Sequence, residues 1–99
     1  MEMVSELKPE KIQRTKSFYG KARVYDDGRG NRALVSYRTA VCWVDASGGF
    51  HKTWDGWSPT TARHVDEFRV QNGMGRIGKR EWEALECERT PPPLRGARL

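Results

Sequence analysis

The aromatic residues of this 99-residue chain are confined to its middle, and this limits where a hydrophobic core can form. All ten lie between Phe18 and Trp82, whereas residues 1–16 and 89–99 contain none and are rich in charged residues and proline. Because aromatic side chains bury a large area per residue, only the middle can offset the entropy lost on ordering. We therefore expect a single domain at 17–88, a flexible N-terminal tail at 1–16 and a basic, proline-rich C-terminal tail at 89–99.

The net charge of +5 lies mostly outside this domain. Residues 17–88 carry eleven basic and ten acidic groups, whereas residues 89–99 carry three basic groups and no acidic one. A near-neutral domain argues against a strong overall attraction to nucleic acid and leaves a local basic patch as the candidate. No long apolar run is present, so we expect a soluble, cytoplasmic protein whose two cysteines are reduced thiols.

The sequence after position 17 has the pattern of strands. Residues 18–25 and 50–54 alternate with a period of two, and residues 33–38 follow a turn-rich loop as the returning strand of a hairpin. Residues 39–44 (TAVCWV) are β-branched, aromatic and mostly apolar, which predicts a strand that is buried on both faces or central in the sheet. Turn-forming residues connect these segments locally, so we predict an antiparallel sheet of three to four strands.

The period changes to that of a helix at Ser58. Ser58 is a favourable N-cap, Pro59 suits the first helical position, and Gly73 is a suitable left-handed C-cap. A second helix is predicted over residues 79–88. Strands followed by helices indicate an α+β fold with both helices packed on one face of the sheet. The expected core residues are Phe18, Ala22, Val24, Val35, Val41, Trp43, Phe50, Val65, Phe68, Trp82 and Leu85.

The outward face of the first predicted strand combines cations with aromatic rings. Rings stack on unpaired bases and cations neutralise phosphates, so such a face would suit single-stranded nucleic acid. Lysine and arginine stems lying against tyrosine rings on a solvated sheet face explain the same pattern without a ligand. The candidate binding residues, including two cations from neighbouring strands, are Tyr19, Lys21, Arg23, Tyr25, Arg38 and Lys52.

The junction between the last strand and the first helix is a second candidate contact region. Two tryptophans lie there, and one of them is expected to be partly exposed. An exposed tryptophan is a frequent hot spot of protein interfaces. Trp57, together with Arg63 and His64, is therefore a candidate anchor for a protein partner.

Residues 73–78 match the G-x-G-x-x-G pattern of dinucleotide-binding folds. They follow a predicted helix rather than a strand, and no parallel βαβ unit surrounds them, so we interpret them as a connector between helices. An anion could still bind at the start of the second helix, where the available cations are Arg76, Lys79 and Arg80.

Catalytic and metal-binding constellations are not evident in the sequence. The two histidines and two cysteines lack the spacing of zinc sites, so neither a metal nor another cofactor is expected. Cys42 lies in the most apolar strand, where a thiol is usually inert, and Asp45 and Asp55 lie in turns where aspartate is common. We therefore expect a binding protein rather than an enzyme.

A resemblance to known proteins spans roughly residues 17–86. It rests on SFYGKA at 17–22, SYRT at 36–39, WDGWSPTTARHVDEF at 54–68, QNG at 71–73 and KREWEAL at 79–85. In these segments the chain resembles a group of short, uncharacterised proteins carried by phages and mobile elements of bacteria. The resemblance implies a small accessory or anti-defence protein, of which anti-CRISPR inhibitors are the best-known kind, and it supplies no established catalytic residues.

Three functions follow as hypotheses. The first is a non-catalytic binding protein that acts on nucleic acid or a host nucleoprotein through the basic and aromatic surface. The second is an inhibitor that blocks a host defence complex by protein contact, with Trp57, Arg63 and His64 as anchors. The third is a small enzyme, which would need a deep pocket containing His64 or Cys42.

Overall fold

The computed structural model describes residues 3–7, 21–89 and 91–94. Within them the chain forms a five-stranded antiparallel sheet followed by two α-helices, which confirms the α+β fold class with one strand more than the upper limit expected. The elements are β1 (Met3–Glu6), β2 (Ala22–Asp26), β3 (Arg32–Ser36), β4 (Thr39–Val44), β5 (Phe50–Lys52), α1 (Pro59–Gln71), α2 (Lys79–Ala84) and a 3₁₀ helix (Pro92–Leu94).

The sheet is a meander in which each strand pairs with the next one in sequence. Val24 of β2 lies opposite Leu34 of β3, and Leu34 lies opposite Cys42 of β4. Paired side chains point to the same side of a sheet, so these residues share one face and their sequence neighbours share the other. The register shifts at Leu34 and Val35, which places one extra residue, Val41, in β4.

The first helix begins and ends where its sequence predicts. Ser58 Oγ accepts a hydrogen bond from the Thr61 N–H at 3.1 Å, and Pro59 occupies the first turn. Gly73 follows the helix with a φ of +80°, a conformation that glycine adopts without strain. Neither helix in the described part of the chain combines the length and apolar character that crossing a bilayer requires.

Both helices pack on one face of the sheet, as predicted. Phe68 of α1 and Trp82 of α2 are fully buried in one cluster with Leu34 of β3. α2 ends at Ala84, four residues before the predicted end at 88, because the following chain turns to run beside β5. There the Glu88 N–H donates a hydrogen bond to the Lys52 carbonyl at 2.7 Å.

The second face of the sheet is covered by residues 91–94, which we call the C-terminal segment. Leu94 forms a buried cluster with Tyr25 and Val35, and Pro91 and Pro93 are also fully buried. The structure thus differs from the expected tail in this part of the chain. The segment has few apolar neighbours in sequence, but the sheet supplies apolar partners, and prolines bring no N–H that burial would leave unpaired.

β1 lies inside the segment expected to be a flexible N-terminal tail. It pairs antiparallel with β2, and Leu7, which follows it, is buried in the helix-side core. The Leu7 N–H donates to the Ala22 carbonyl at 2.8 Å. The short sequence MVSE has no sustained alternation, so its pairing depends on the exposed edge of β2, which sequence pattern alone does not reveal.

The expected core is largely the observed one. Of its members, Ala22, Val35, Val41, Val65, Phe68 and Trp82 are buried. Val24, Trp43, Phe50 and Leu85 are partly buried, and Phe18 lies outside the described residues. Further buried apolar residues are Leu7, Tyr25, Ala33, Leu34, Cys42, Val44, Ile77 and Leu94.

Replacing Leu7 by Ala tests whether β1 and its flank belong to the folded unit. We expect the free energy of unfolding to fall by about 2–5 kcal/mol, because the change removes buried methyl groups from the core. The matched control is Val4→Ala on β1 itself, where the side chain is exposed and a change within about 0.5 kcal/mol is expected. Chemical denaturation measures both, and equal small effects would show that this segment does not pack.

Candidate functional site

The connection between β3 and β4 is a two-residue turn that carries an exposed aromatic ring. Tyr37 and Arg38 lie between the paired residues Ser36 and Thr39. Tyr37 has a φ of +57°, a left-handed conformation that hairpin turns use but bulky residues rarely adopt. Placing a tyrosine there costs on the order of 1 kcal/mol, yet the residue is 48% exposed. A strained, exposed ring points to a role in contacts rather than in stability.

Three basic residues are close to the backbone of Tyr37. The Tyr37 N–H donates to the Lys21 carbonyl at 2.6 Å, and Arg23 Nη2 donates to the Tyr37 carbonyl at 3.3 Å. Lys21 and Arg38 are exposed, and Arg23 is half-buried. Glu6 of β1, opposite Arg23 in the register, adds one acidic group beside them. We call Lys21, Arg23, Tyr37 and Arg38 the turn patch.

A buried polar cluster lies beneath the turn patch. Ser36 Oγ lies 2.7 Å from His64 Nδ1 and 3.5 Å from Thr61 Oγ1, which ties the end of β3 to the first turns of α1. The Tyr37 and His64 rings are 6.1 Å apart. A serine beside a histidine is the pairing that nucleophilic catalysis uses, but here His64 is completely buried, which closes the pair to a substrate. The cluster instead fixes the turn on the helix.

His51 joins the β4–β5 turn to the chain that follows α2. Its Nε2 lies 2.7 Å from Asp45 Oδ2, its Nδ1 lies 2.7 Å from Glu88 Oε2, and its ring stacks on Trp43 with centroids 4.2 Å apart. Burial opposes the charged imidazole, but the hydrogen bonds to the two carboxylates outweigh it and raise the pKa of His51. The hydrogen bond from His51, helped by two backbone N–H groups, lowers the pKa of Asp45.

These groups do not form a metal or nucleophile site. Asp45 and Glu88 contact opposite nitrogens of the His51 ring, so their carboxylates do not converge. In the described part of the chain, no group of three or more His, Cys, Asp or Glu side chains is arranged to hold a metal ion. Cys42 and Cys87 are free thiols, and burial raises the pKa of Cys42, which disfavours the nucleophilic thiolate.

A cavity of about 280 Å³ lies between the first two strands and α1. Its cation, Arg32, is already held by Asp26 Oδ2 at 3.4 Å and by Asn72 Oδ1 at 2.9 Å. Glu6 and Asp26 both line the cavity, so acidic groups outnumber the single cation. This composition does not favour an anionic ligand or cofactor.

A model of a protein family matches residues 6–84, which is most of the chain. The chain belongs to a family of unknown function (DUF8033). This agrees with the uncharacterised family that the resemblance predicts. The family match contains the whole turn patch and both helices, and it ends before Glu88 and the C-terminal segment. Comparison with curated proteins and with solved structures gives no significant match.

The structure brings together only part of the predicted sheet-face surface. Lys21, Arg23 and Arg38 lie in the turn patch of this family domain. Tyr19 falls outside the described residues. Tyr37 was missed because residues 33–38 read as a strand. The sequence nevertheless contained a signal for this turn. The predicted strands 33–38 and 39–44 follow each other without a loop, so the turn between them must lie at the end of the first or the start of the second.

The predicted exposure of Tyr25 and Lys52 is wrong, since both residues are buried. Tyr25 lies in the cluster with Leu94, because the C-terminal segment covers the face that alternation assigns to solvent. Lys52 points to the helix side and is 1% exposed. Its Nζ donates to Asp55 Oδ1 at 2.8 Å and to the Trp82 carbonyl at 3.0 Å. A buried lysine whose ammonium group makes these two hydrogen bonds contributes to the packing of the core and does not face a ligand.

Trp57 and His64 do not form an exposed anchor region. The Trp57 ring lies 6.4 Å from the Trp82 ring and packs against the core, and His64 faces the sheet. Only Arg63 of this predicted group is exposed. Helical spacing predicts which residues of α1 share a face. It does not show how far the sheet extends, and the sheet covers the face that carries His64.

The predicted anion-binding cations, Arg76, Lys79 and Arg80, are all exposed near the start of α2. Glu81 Oε1 accepts a hydrogen bond from the Gly78 N–H at 3.4 Å, so a carboxylate already lies at this helix start. The helix is also only six residues long. The three cations form a solvated basic surface and provide a charge-matched control for the turn patch.

Replacing Tyr37 by Asn tests whether the ring supports the fold. We expect the free energy of unfolding to stay unchanged or to rise by up to about 1 kcal/mol, because asparagine tolerates the left-handed region. The control is Arg38→Asn, at the turn position without a positive φ, where no gain is expected. Chemical denaturation would contradict this interpretation if the Tyr37 variant lost more than about 1 kcal/mol.

The His51 ion pairs predict a stability contribution limited to a range of pH. The part from Asp45 is present above its ordinary pKa of 3.8 and is lost as pH falls through the lowered value. The part from His51 is complete below its ordinary pKa of 6.5 and is lost as pH rises through the raised value. The melting temperatures of wild type and His51→Gln should therefore differ most between pH 3.8 and 6.5. Thermal melts that differ equally at every pH would refute this.

Proposed function

We propose that this protein is a non-catalytic binding protein whose turn patch takes up single-stranded nucleic acid. The observation that carries the proposal is Tyr37, an exposed tyrosine with a φ of +57° whose backbone is bonded to Lys21 and Arg23. Core packing does not account for a tyrosine at this position, and the turn would be less strained with asparagine or glycine. A stacking platform does account for it, because unpaired bases stack on exposed aromatic rings.

The cations of the turn patch supply the electrostatic part of such binding. Lys21 and Arg38 are exposed; the Lys21 carbonyl accepts from the Tyr37 N–H, and Arg38 follows Tyr37 in sequence. Arg23 holds the turn through the Tyr37 carbonyl. Lysine and arginine that neutralise phosphates release counterions, so affinity falls as salt rises. Stacking contributes about 1–3 kcal/mol per base and depends little on salt.

The near-neutral domain requires that this attraction be local. Residues 17–88 carry eleven basic and ten acidic groups, so no long-range field draws a polyanion to the whole surface. Glu6 lies opposite Arg23 and reduces the local charge further. We therefore propose a short binding site of a few nucleotides whose affinity falls with rising salt in proportion to its few phosphate contacts.

The wider role we propose is that of a phage or mobile-element protein that acts on a host nucleoprotein in the bacterial cytoplasm. The resemblance to short phage proteins supports it. Tyrosine and arginine are also enriched in hot spots of protein interfaces, so an anti-CRISPR-type inhibitor that contacts the protein part of a defence complex is the second candidate. Its anchors would be Tyr37 and Arg38, since Trp57 and His64 are packed inward.

Two double variants separate the turn patch from general charge. Lys21→Ala with Arg38→Ala, and Lys79→Ala with Arg80→Ala, each remove two exposed cations. We expect only the first to weaken the binding of a labelled single-stranded oligonucleotide in fluorescence anisotropy, by about tenfold or more at low salt. It should also reduce the slope of log affinity against log salt by about 1.4, which corresponds to two phosphate contacts.

The variant Tyr37→Asn tests the contribution of base stacking in the same assay. It should weaken binding by about tenfold or more with an unchanged salt slope, because stacking is not ionic. Circular dichroism confirms that each variant is folded. Equal losses in the two double variants, or no oligonucleotide binding by the wild type at low salt, would exclude the nucleic-acid proposal. The second outcome would leave protein contact as the function of the turn patch.

A further inference from the structure

The C-terminal segment covers the second sheet face with three prolines and one leucine. Leu94 packs in the cluster of Tyr25 and Val35, and Pro91 and Pro93 are fully buried beside it. This strip makes no strand with the sheet and is held by side-chain burial. Short segments that are held by side-chain burial without strand pairing belong to the less stable parts of a fold.

The covered face retains two unused hydrogen-bond donors. Among the described residues, neither Trp43 Nε1 nor Arg23 Nε has a hydrogen-bond partner, although both atoms are buried. Cross-strand pairing places Trp43 and Arg23 on the same face as Tyr25. Both groups are donors that cannot accept, and a buried indole N–H usually has a partner. In the described part of the chain, the C-terminal segment therefore fills the apolar part of the face but gives these two donors no acceptor.

A proline-rich peptide has the complementary chemistry. Proline offers a carbonyl acceptor and no N–H donor, so it can satisfy donor-only groups without bringing unpaired donors into an apolar site. Prolines and a leucine already occupy this face, which shows that residues of this shape fit it. A segment whose carbonyls reach Trp43 Nε1 and Arg23 Nε would fit better than the present occupant does.

The connection of the segment to the domain allows exchange. Glu88 is fixed to β5 by the hydrogen bond from its N–H to the Lys52 carbonyl, and the C-terminal segment begins three residues later. The covered strands lie inside the family match at residues 6–84, and the cover lies outside it. The strands that form the second sheet face thus belong to the family domain, whereas the C-terminal segment that covers them lies outside it.

We infer that the second sheet face is a groove for a proline-rich segment of a partner protein, and that the C-terminal segment occupies it in cis until such a partner displaces it. This interaction is distinct from the proposed nucleic-acid binding, although the two surfaces share Arg23, whose Nη2 donates to the Tyr37 carbonyl and whose Nε belongs to the covered face. The short connection to the domain gives the cis segment an effective local concentration in the millimolar range. A partner therefore competes only if its affinity for the open groove is high enough to offset this local concentration.

Peptide binding by the full-length chain tests this inference. The probe is a fluorescein-labelled peptide with the sequence of residues 89–99, and the variant is Leu94→Asp, which places a carboxylate in the buried position and releases the cis segment. We expect this variant to bind the peptide at least about tenfold more tightly than the wild type does. Val4→Asp puts the same charge at an exposed apolar site and should bind like the wild type.

A second measurement does not depend on the folding of that variant. Titration of the wild type with a millimolar peptide made only of prolines should shift the NMR signal of the Trp43 indole N–H, as one of its carbonyls becomes the partner that the cis segment does not provide. A glycine- and serine-based peptide of the same length should need about tenfold more to do so. Equal binding of the two peptides would overturn the inference. So would an unmoved Trp43 signal, or a folded Leu94→Asp variant that binds no peptide.

Discussion

The central strand β3 is buried on both of its faces, and most of the remaining structure serves to cover them. Leu34 faces the helices, whereas Ala33 and Val35 face the C-terminal segment, and all three are fully inaccessible to solvent. Helices on one side cannot cover both faces of such a strand, and residues 91–94 cover the other face. With both faces covered by the chain itself, exposed side chains are found at turns and edges, and Tyr37 lies at such a turn.

The sequence predicted the parts of the fold that depend on local periodicity and capping. β4 and α1 have the predicted bounds, because TAVCWV has strong strand character and because Ser58 and Gly73 mark the helix ends. The parts that depend on partners distant in sequence were missed. β1 has too weak a pattern to be recognised without the edge it pairs with, and the proline-rich end lacks apolar neighbours until the sheet supplies them.

The candidate site was predicted only in part, again because some of its features depend on contacts between residues distant in sequence. Lys21, Arg23 and Arg38 were found because cations are visible in sequence, whereas the burial of Tyr25 depends on which face is covered. Alternation shows that a strand has two faces but not which one remains in water. Tyr37 was hidden because a tyrosine carries none of the turn signals that glycine or asparagine would give at this position.

The central claim is that an exposed ring in a strained turn, with the cations around it, forms the contact surface for single-stranded nucleic acid. NMR chemical-shift mapping tests it most directly, because an isotope-labelled chain reports on nearly every backbone amide as oligonucleotide is added. Changes centred on Lys21, Arg23, Tyr37 and Arg38, with residues 76–80 unaffected, are the expected result. Changes centred on residues 76–80, or spread evenly over the exposed cations, would contradict the claim.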